Sequence, residues 1–218
     1  MIKAVLFDFD GTLMNTPPVI IESWQYAART LLEHELPMDV VIGSFGEPIL
    51  VTIEKHFPGL DPQLVLRTYV HHSDEIPGLR IEMFPGTREL VLGVKALGYK
   101  TAMVTTRVWA RTPLHLYDFG MEDEFDCMVS GENCTKHKPD PEPCNIALEK
   151  LGIAPEEAIM IGDTLFDIEC AHNAGVKAVI VSWSLTATPE DIKKADFFLQ
   201  KPEDLYSYLE RLQQEAQE

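Results

Sequence analysis

Two aspartates one residue apart, Asp8 and Asp10, follow directly on the apolar run Val5-Leu6-Phe7 and precede Gly11-Thr12, an arrangement suited to phosphoryl transfer. A buried strand ending at Phe7 would put Asp8 at its carboxyl end, where open α/β sheets bind their ligands, and Gly11 allows a sharp exit. A second acidic pair follows another apolar run, Ile159-Met160-Ile161: Asp163 comes after Gly162, and Asp167 four residues later. If a helix starts near Thr164, both carboxylates face the strand end. Asp8, Asp10, Asp163 and Asp167 gathered together would repel one another, and a hard cation such as Mg2+ would keep them ionised. Between the two pairs stand a hydroxyl, Thr105, ending the run Ala102-Met103-Val104, and the segment Lys136-His137-Lys138-Pro139-Asp140-Pro141-Glu142-Pro143. Its prolines stiffen the backbone, so that Lys138 can be held as a fixed point charge while Lys136 stays solvated. Each motif has a plain alternative: solvated acids at a strand end, a helix cap at Thr105 or Asp163, a simple turn at Lys138-Pro139.

The elements that must position these residues are legible as alternating runs. Strands are predicted at Ile2 to Phe7, Lys100 to Val104, Cys127 to Val129, Ala158 to Ile161, Lys177 to Val181 and Phe197 to Leu199. Helices are predicted at Pro85 to Leu97, Val108 to Tyr117, Glu142 to Leu151, Leu165 to Ala174 and Pro202 to Gln214, several closed by a glycine. That alternation implies an α/β fold with a doubly wound parallel sheet covered on both faces. From Thr16 to Met83 the rhythm breaks into amphipathic patterns at Val19 to Glu33, Ile49 to Phe57 and Gln63 to Ile76 with no buried strand. The expected organisation is a core of residues 1–15 and 84–218 with an inserted α-helical module, 16–83, bordered by turn formers where a hinge could lie.

Composition narrows the partners. The chain has 218 residues, 45% hydrophobic and 24% charged, ordinary for a globular protein with a sizeable core. Its net charge of −17 excludes nucleic acid or an anionic membrane as the main partner, because such binding depends on basic patches. No apolar run approaches a membrane span, Met1-Ile2-Lys3 leads straight into the first strand, and the expected location is cytoplasmic. Cys127, Cys134, Cys144 and Cys170 lack zinc-ligand spacing and are expected as free thiols.

In order, these four segments resemble the motifs of the haloacid dehalogenase-like hydrolases, and of their phosphatases specifically, because the dehalogenases lack a second aspartate at the place of Asp10. The likeness runs from Ile2 to about Trp183. It implies a Rossmann-like core with a helical cap of the C1 type closing over the site. It further implies Mg2+ bound by Asp8, the backbone carbonyl of Asp10 and Asp163, with Asp167 bound directly or through water. Asp8 would be the nucleophile that forms an aspartyl-phosphate, and Thr105 and Lys138 would orient and stabilise the phosphoryl group. Asp10 would protonate the leaving oxygen and later deprotonate water.

The family's usual Asn-Lys after the motif threonine is replaced here by Thr106-Arg107, both assigned to substrate binding. In the cap, Arg67 and His71 lie four apart on one helical face, with His72 beside them. They are expected to clamp the far end of a small anionic substrate, against the alternative that they are solvated surface. Lys55, the only lysine of residues 16–83, is read as surface.

The stretch from Val104 to Pro143 resembles the phosphoglycolate phosphatase and small pyrophosphatase branch, which implies a small phosphorylated metabolite as substrate and gives no indication of a protein partner. Mutase chemistry of the β-phosphoglucomutase kind is the alternative, although that branch has a serine in its second motif and an arginine-bearing cap loop where this chain has Ile42-Gly43-Ser44-Phe45-Gly46-Glu47-Pro48. From another class come a non-catalytic, phospho-regulated binding protein and a response-regulator receiver. A receiver carries its acceptor aspartate on a middle strand and has no helical insert.

Overall fold

The structure, a computed structural model, describes residues 1–76, 81–107 and 116–216. Six strands form one parallel sheet: β1 (Ala4–Phe7), β2 (Lys100–Val104), β3 (Cys127–Val129), β4 (Ala158–Gly162), β5 (Lys177–Val181) and β6 (Phe197–Leu199), in the order β3-β2-β1-β4-β5-β6. The first strand is central, and Ala4, Val5, Leu6 and Phe7 are all fully buried, as a parallel strand covered on both faces requires. Strand order reverses beside β1, so the crevice between the carboxyl ends of β1 and β4 is the topological switch point where such sheets bind ligands.

One face of the sheet packs Val5, Phe7, Met103 and Ile161 against α5 (Thr87–Ala96) and α9 (Asp204–Glu215), through Leu90, Val91, Val94, Leu205, Leu209 and Leu212. The other packs Leu6, Val104 and Met160 against α6 (Glu142–Leu151) and α7 (Leu165–Asn173), through Ala147, Leu148, Ile168 and Ala171. Between β1 and α5 the chain runs through α1 (Pro17–Leu32), α2 (Met38–Gly43), α3 (Ile49–His56) and α4 (Pro62–Glu75), which enclose a core of their own around Trp24, Phe45, Ile53, Phe57 and Val65. The chain's exit from the sheet and its return are paired: Met14 bridges Met83 antiparallel, Asn15 N–H donates to the Glu82 carbonyl at 2.8 Å, and Phe84 N–H to that of Leu13 at 3.0 Å.

The predicted α/β sheet is present with all six strands. The first begins at Ala4, two residues later than expected, and α5 begins at Thr87 because Gly86, at φ 83°, turns the chain before it. Two short helices were not anticipated, α2 and α8 (Pro189–Lys194). The predicted helix at Val108 to Tyr117 falls almost wholly outside the described residues. All four cysteines are unbridged, and among the described residues no helix is long and apolar enough to cross a membrane.

Candidate active site

Asp8 leaves β1 with its N–H still in the ladder, donating to the Ile161 carbonyl at 2.8 Å, so its carboxylate stands at the strand end, buried. Gly11 then turns the chain at φ 76°, and a Cβ there would lie 2.1 Å from Asp163 Oδ2; no other residue fits. β4 ends at Gly162, where a Cβ would meet the Asp167 side chain at 2.3 Å, so this glycine admits Asp167 to the strand end. Asp167 also closes the start of α7, accepting from Thr164 N–H at 3.1 Å and from the Thr164 hydroxyl at 2.6 Å in a capping box.

Lys138 reaches this acidic group from the turn before α6. Its ammonium donates to Asp8 Oδ1 at 2.8 Å, Asp167 Oδ1 at 2.6 Å and the Val104 carbonyl at 2.8 Å, which satisfies all three N–H bonds. Burial works against its charge, but Asp167 and Asp8 outweigh burial and hold it protonated, with a pKa above the ordinary lysine range. Lys136, by contrast, lies on the surface beside Asp140 at 3.3 Å.

Asp163 is held by hydroxyls. Ser184 and Thr186, on the loop after β5, each donate to its Oδ2 at 2.6 Å. Sequence reasoning missed both, as it missed Thr12, whose hydroxyl lies 3.5 Å from Asp8 Oδ2 and 3.4 Å from Asp163 Oδ1.

One carboxylate oxygen from each of Asp8, Asp163 and Asp167 lies within 4.8 Å of the other two. Three buried carboxylates against one ammonium leave two uncompensated negative charges, and Asp8 is accordingly raised well above the ordinary carboxyl range, by burial first and by its acidic neighbours, against the pull of Lys138. A divalent cation fits this donor set. Asp8 Oδ2 and Asp163 Oδ1 lack a short hydrogen bond and are the oxygens best placed to ligate it, whereas both oxygens of Asp167 are already engaged.

Burial, and then Asp167, pushes the Asp163 pKa up to about 7, against the pull of the Ser184 and Thr186 hydroxyls. A carboxyl raised on folding from 3.8 stabilises the fold while protonated and loses that contribution as pH rises through about 7. In chelator the unfolding temperature should therefore fall between about pH 5 and about pH 8, and fall less in Asp163→Asn. Mg2+ should restore it at the higher pH and do little at the lower, because the ligand must be ionised. An unfolding temperature in chelator that falls equally in both proteins would contradict the role given to Asp163.

Thr105 follows β2, buried, and its hydroxyl oxygen accepts from Arg107 N–H at 3.1 Å. Thr106 is half-buried, its carbonyl so close to Gly131 that a Cβ there would come within 2.5 Å. The Arg107 guanidinium is engaged with Asp10 through two bonds, Nε to Oδ2 at 3.0 Å and Nη2 to Oδ1 at 2.8 Å. Asp10 thus directs its carboxylate to Arg107.

The helical segment meets the site at two places. Gly46, in the loop after α2, lies against the fourth motif, where a Cβ would be 3.0 Å from the Phe166 ring and 3.1 Å from Thr164 Oγ1. Tyr69 of α4, packed on Trp24 with ring centroids 4.4 Å apart and planes tilted by 41°, is near enough to Arg107 and Asp10 for their charges to act on its hydroxyl, although burial dominates in raising its pKa.

The residues of the expected clamp lie on another face of α4. Arg67 and His71 each stand two residues from Tyr69, about 200° around the helix, and both are exposed. His72 turns onto α1, stacked on Tyr26 at 3.9 Å. Lys55 pairs with Glu47 at the surface.

Comparison with known proteins agrees with this geometry. A family model of the haloacid dehalogenase-like hydrolases matches residues 5–181. The pyrophosphatase PpaX of Bacillus cereus is 34% identical over 212 residues, 95% of this chain and 96% of that protein. Among solved structures, a predicted phosphoglycolate phosphatase from Haemophilus somnus superposes with a TM-score of 0.82 at 23% identity, covering 95% of this chain and 98% of the other. A β-phosphoglucomutase from Clostridium difficile gives 0.83 at 20%, covering 99% of both. At such identities these two likenesses show the fold alone.

Proposed function

The chain belongs to the haloacid dehalogenase-like hydrolases, and from that membership we propose that it is a Mg2+-dependent phosphatase of a small phosphorylated metabolite, a monoester such as phosphoglycolate or the anhydride pyrophosphate. The observation that carries this reading is the buried group at the switch point, Asp8 bonded to Lys138 beside Asp163 and Asp167. The pyrophosphatase relative extends it to the anhydride.

In this reading an oxygen of Asp8 attacks phosphorus, and the bond to the leaving oxygen breaks. Asp8 and Asp163 would hold the divalent cation, which would supply positive charge against the repulsion between a carboxylate and an anionic phosphate. Lys138, fixed by three acceptors, and the Thr105 hydroxyl face the charge that develops on the phosphoryl oxygens. Asp10 gives its proton to the leaving oxygen, then takes one from the water that hydrolyses the aspartyl-phosphate, and Asp8 is regenerated. Residues 16–83 would act as the cap, a reading supported by the approach of Gly46 to Thr164 and Phe166, and its closure would exclude water.

The test is phosphate release from 4-nitrophenyl phosphate, phosphoglycolate, pyrophosphate and β-glucose 1-phosphate, with Mg2+ and with excess chelator. Turnover should require the metal, and conversion of β-glucose 1-phosphate to a phosphorylated isomer without phosphate release would favour the mutase alternative. Asp10→Ala should lower turnover of an unactivated ester on the order of 10²- to 10⁴-fold, the usual worth of general acid–base catalysis. Rapid quench with the activated aryl ester should still trap phosphate on that variant; equal losses on both esters with nothing trapped would remove the proton shuttle from Asp10.

A further inference from the structure

Arg107 sits where the family pattern carries a different residue, and its position is fixed at both ends. Its N–H donates to the Thr105 hydroxyl at 3.1 Å, and its carbonyl accepts from Gly131 N–H at 3.0 Å. The guanidinium lies over the Phe9 ring, 5.4 Å from the centroid. Burial works against its charge, but Asp10 outweighs burial. Two parallel N–H bonds to one carboxylate are the geometry by which arginine recognises planar or tetrahedral oxyanions in general. The bound carboxylate belongs to Asp10, the residue that faces the leaving oxygen in the proposed reaction.

We propose that Arg107 is the leaving-group anion site of this phosphatase, and that Asp10 occupies it as an internal stand-in until a substrate with an anionic leaving group displaces it. The inference rests on the phosphatase reading above and narrows its substrate class to phosphates whose leaving group carries its own phosphate or carboxylate. With a diphosphate, the Asp8 oxygen–phosphorus bond forms as the anhydride bond breaks. The departing phosphate takes the bridging oxygen and the bonding electron pair, and the guanidinium bears the resulting charge. Displacement also frees the Asp10 carboxylate, which takes up a proton from solvent once it leaves the guanidinium, gives that proton to the leaving oxygen and later takes one from water, so the proton shuttle engages only when an anion has arrived. The exchange is carried by residues of the core, and the exposed Arg67 and His71 take no part in it.

The experiment compares wild type, Arg107→Gln and Arg107→Lys for kcat/KM on pyrophosphate, phosphoglycolate and 4-nitrophenyl phosphate, with Mg2+ and with folding checked by thermal unfolding. The ratio of either anionic-tailed substrate to the aryl ester should fall on the order of 10- to 100-fold in Arg107→Gln, the worth of a charge-assisted pair. Arg107→Lys, which keeps the charge and loses the fork, should fall in between, and it decides alone if Arg107→Gln does not fold. A proportional loss on all three substrates would overturn the proposal and leave Arg107 as a brace for Asp10. Wild-type turnover of the aryl ester without preference for either anionic-tailed substrate would overturn it too, while leaving the phosphatase reading intact. Absence of any Mg2+-dependent turnover would instead defeat that reading.

Discussion

Asp8→Asn should lose turnover by on the order of 10⁴-fold or more, the scale seen when a covalent nucleophile is removed, while unfolding in chelator at a temperature no lower than wild type. Asparagine keeps an oxygen for the Lys138 ammonium, which retains Asp167 and the Val104 carbonyl in any case. It also removes one of three crowded carboxylates. Because Asp8 is raised by burial and by its acidic neighbours, its charged form opposes folding above the ordinary carboxyl range, and a neutral isostere relieves that opposition. Phosphate release and thermal unfolding on the same preparation check both halves. A variant with more than a few per cent of wild-type turnover would show that another group attacks phosphorus.

Lys138→Met should cost both activity and the fold. Methionine fills much of the same volume, so the loss is mainly that of the charge compensating Asp8 and Asp167. Removing one partner of a buried ion pair typically costs about 3–5 kcal/mol, which for a chain of this length lowers the unfolding temperature on the order of 10 °C. The sign of the pH dependence follows from the raised pKa values of Asp8 and of Asp163, the latter about 7. Protonation below that range discharges the cluster, so the deficit should be large at about pH 8 and shrink toward about pH 5. Urea unfolding in chelator at both pH values measures it. Equal deficits at the two values would assign the effect to packing.

What the sequence made legible was local. Apolar runs breaking at Asp8, Thr105 and Asp163 marked strand ends because a parallel strand must be apolar until it emerges. Stiffening prolines singled out Lys138 from Lys136, and the structure buries the first and leaves the second on the surface. Ser184 and Thr186 were not legible, because only the pairing of β4 with β5 brings the second loop to Asp163.

Which face of α4 looks toward the site was not legible for a related reason. Leu64, Val65, Leu66, Tyr69 and Val70 spread apolar character around most of that helix, and the segment has both a core of its own and a side toward the site. Spacing showed that Arg67 and His71 share a face, but not which way it looks. A six-residue helix such as α2 is too short for periodicity. The start of α8 was signalled by Thr188-Pro189-Glu190-Asp191, a capping pattern with proline at the first turn, and was overlooked.

The paired passages at Leu13 to Asn15 and Glu82 to Phe84 mean that the chain leaves the sheet for α1 and comes back from α4 side by side. A chain that departs and returns at one place can exchange what lies between for a longer, shorter or different element without shifting any register of the sheet. Innovation above the strand ends is thereby uncoupled from the folding of the strands, and a graft at this junction tests for new selectivity on an unaltered reaction centre.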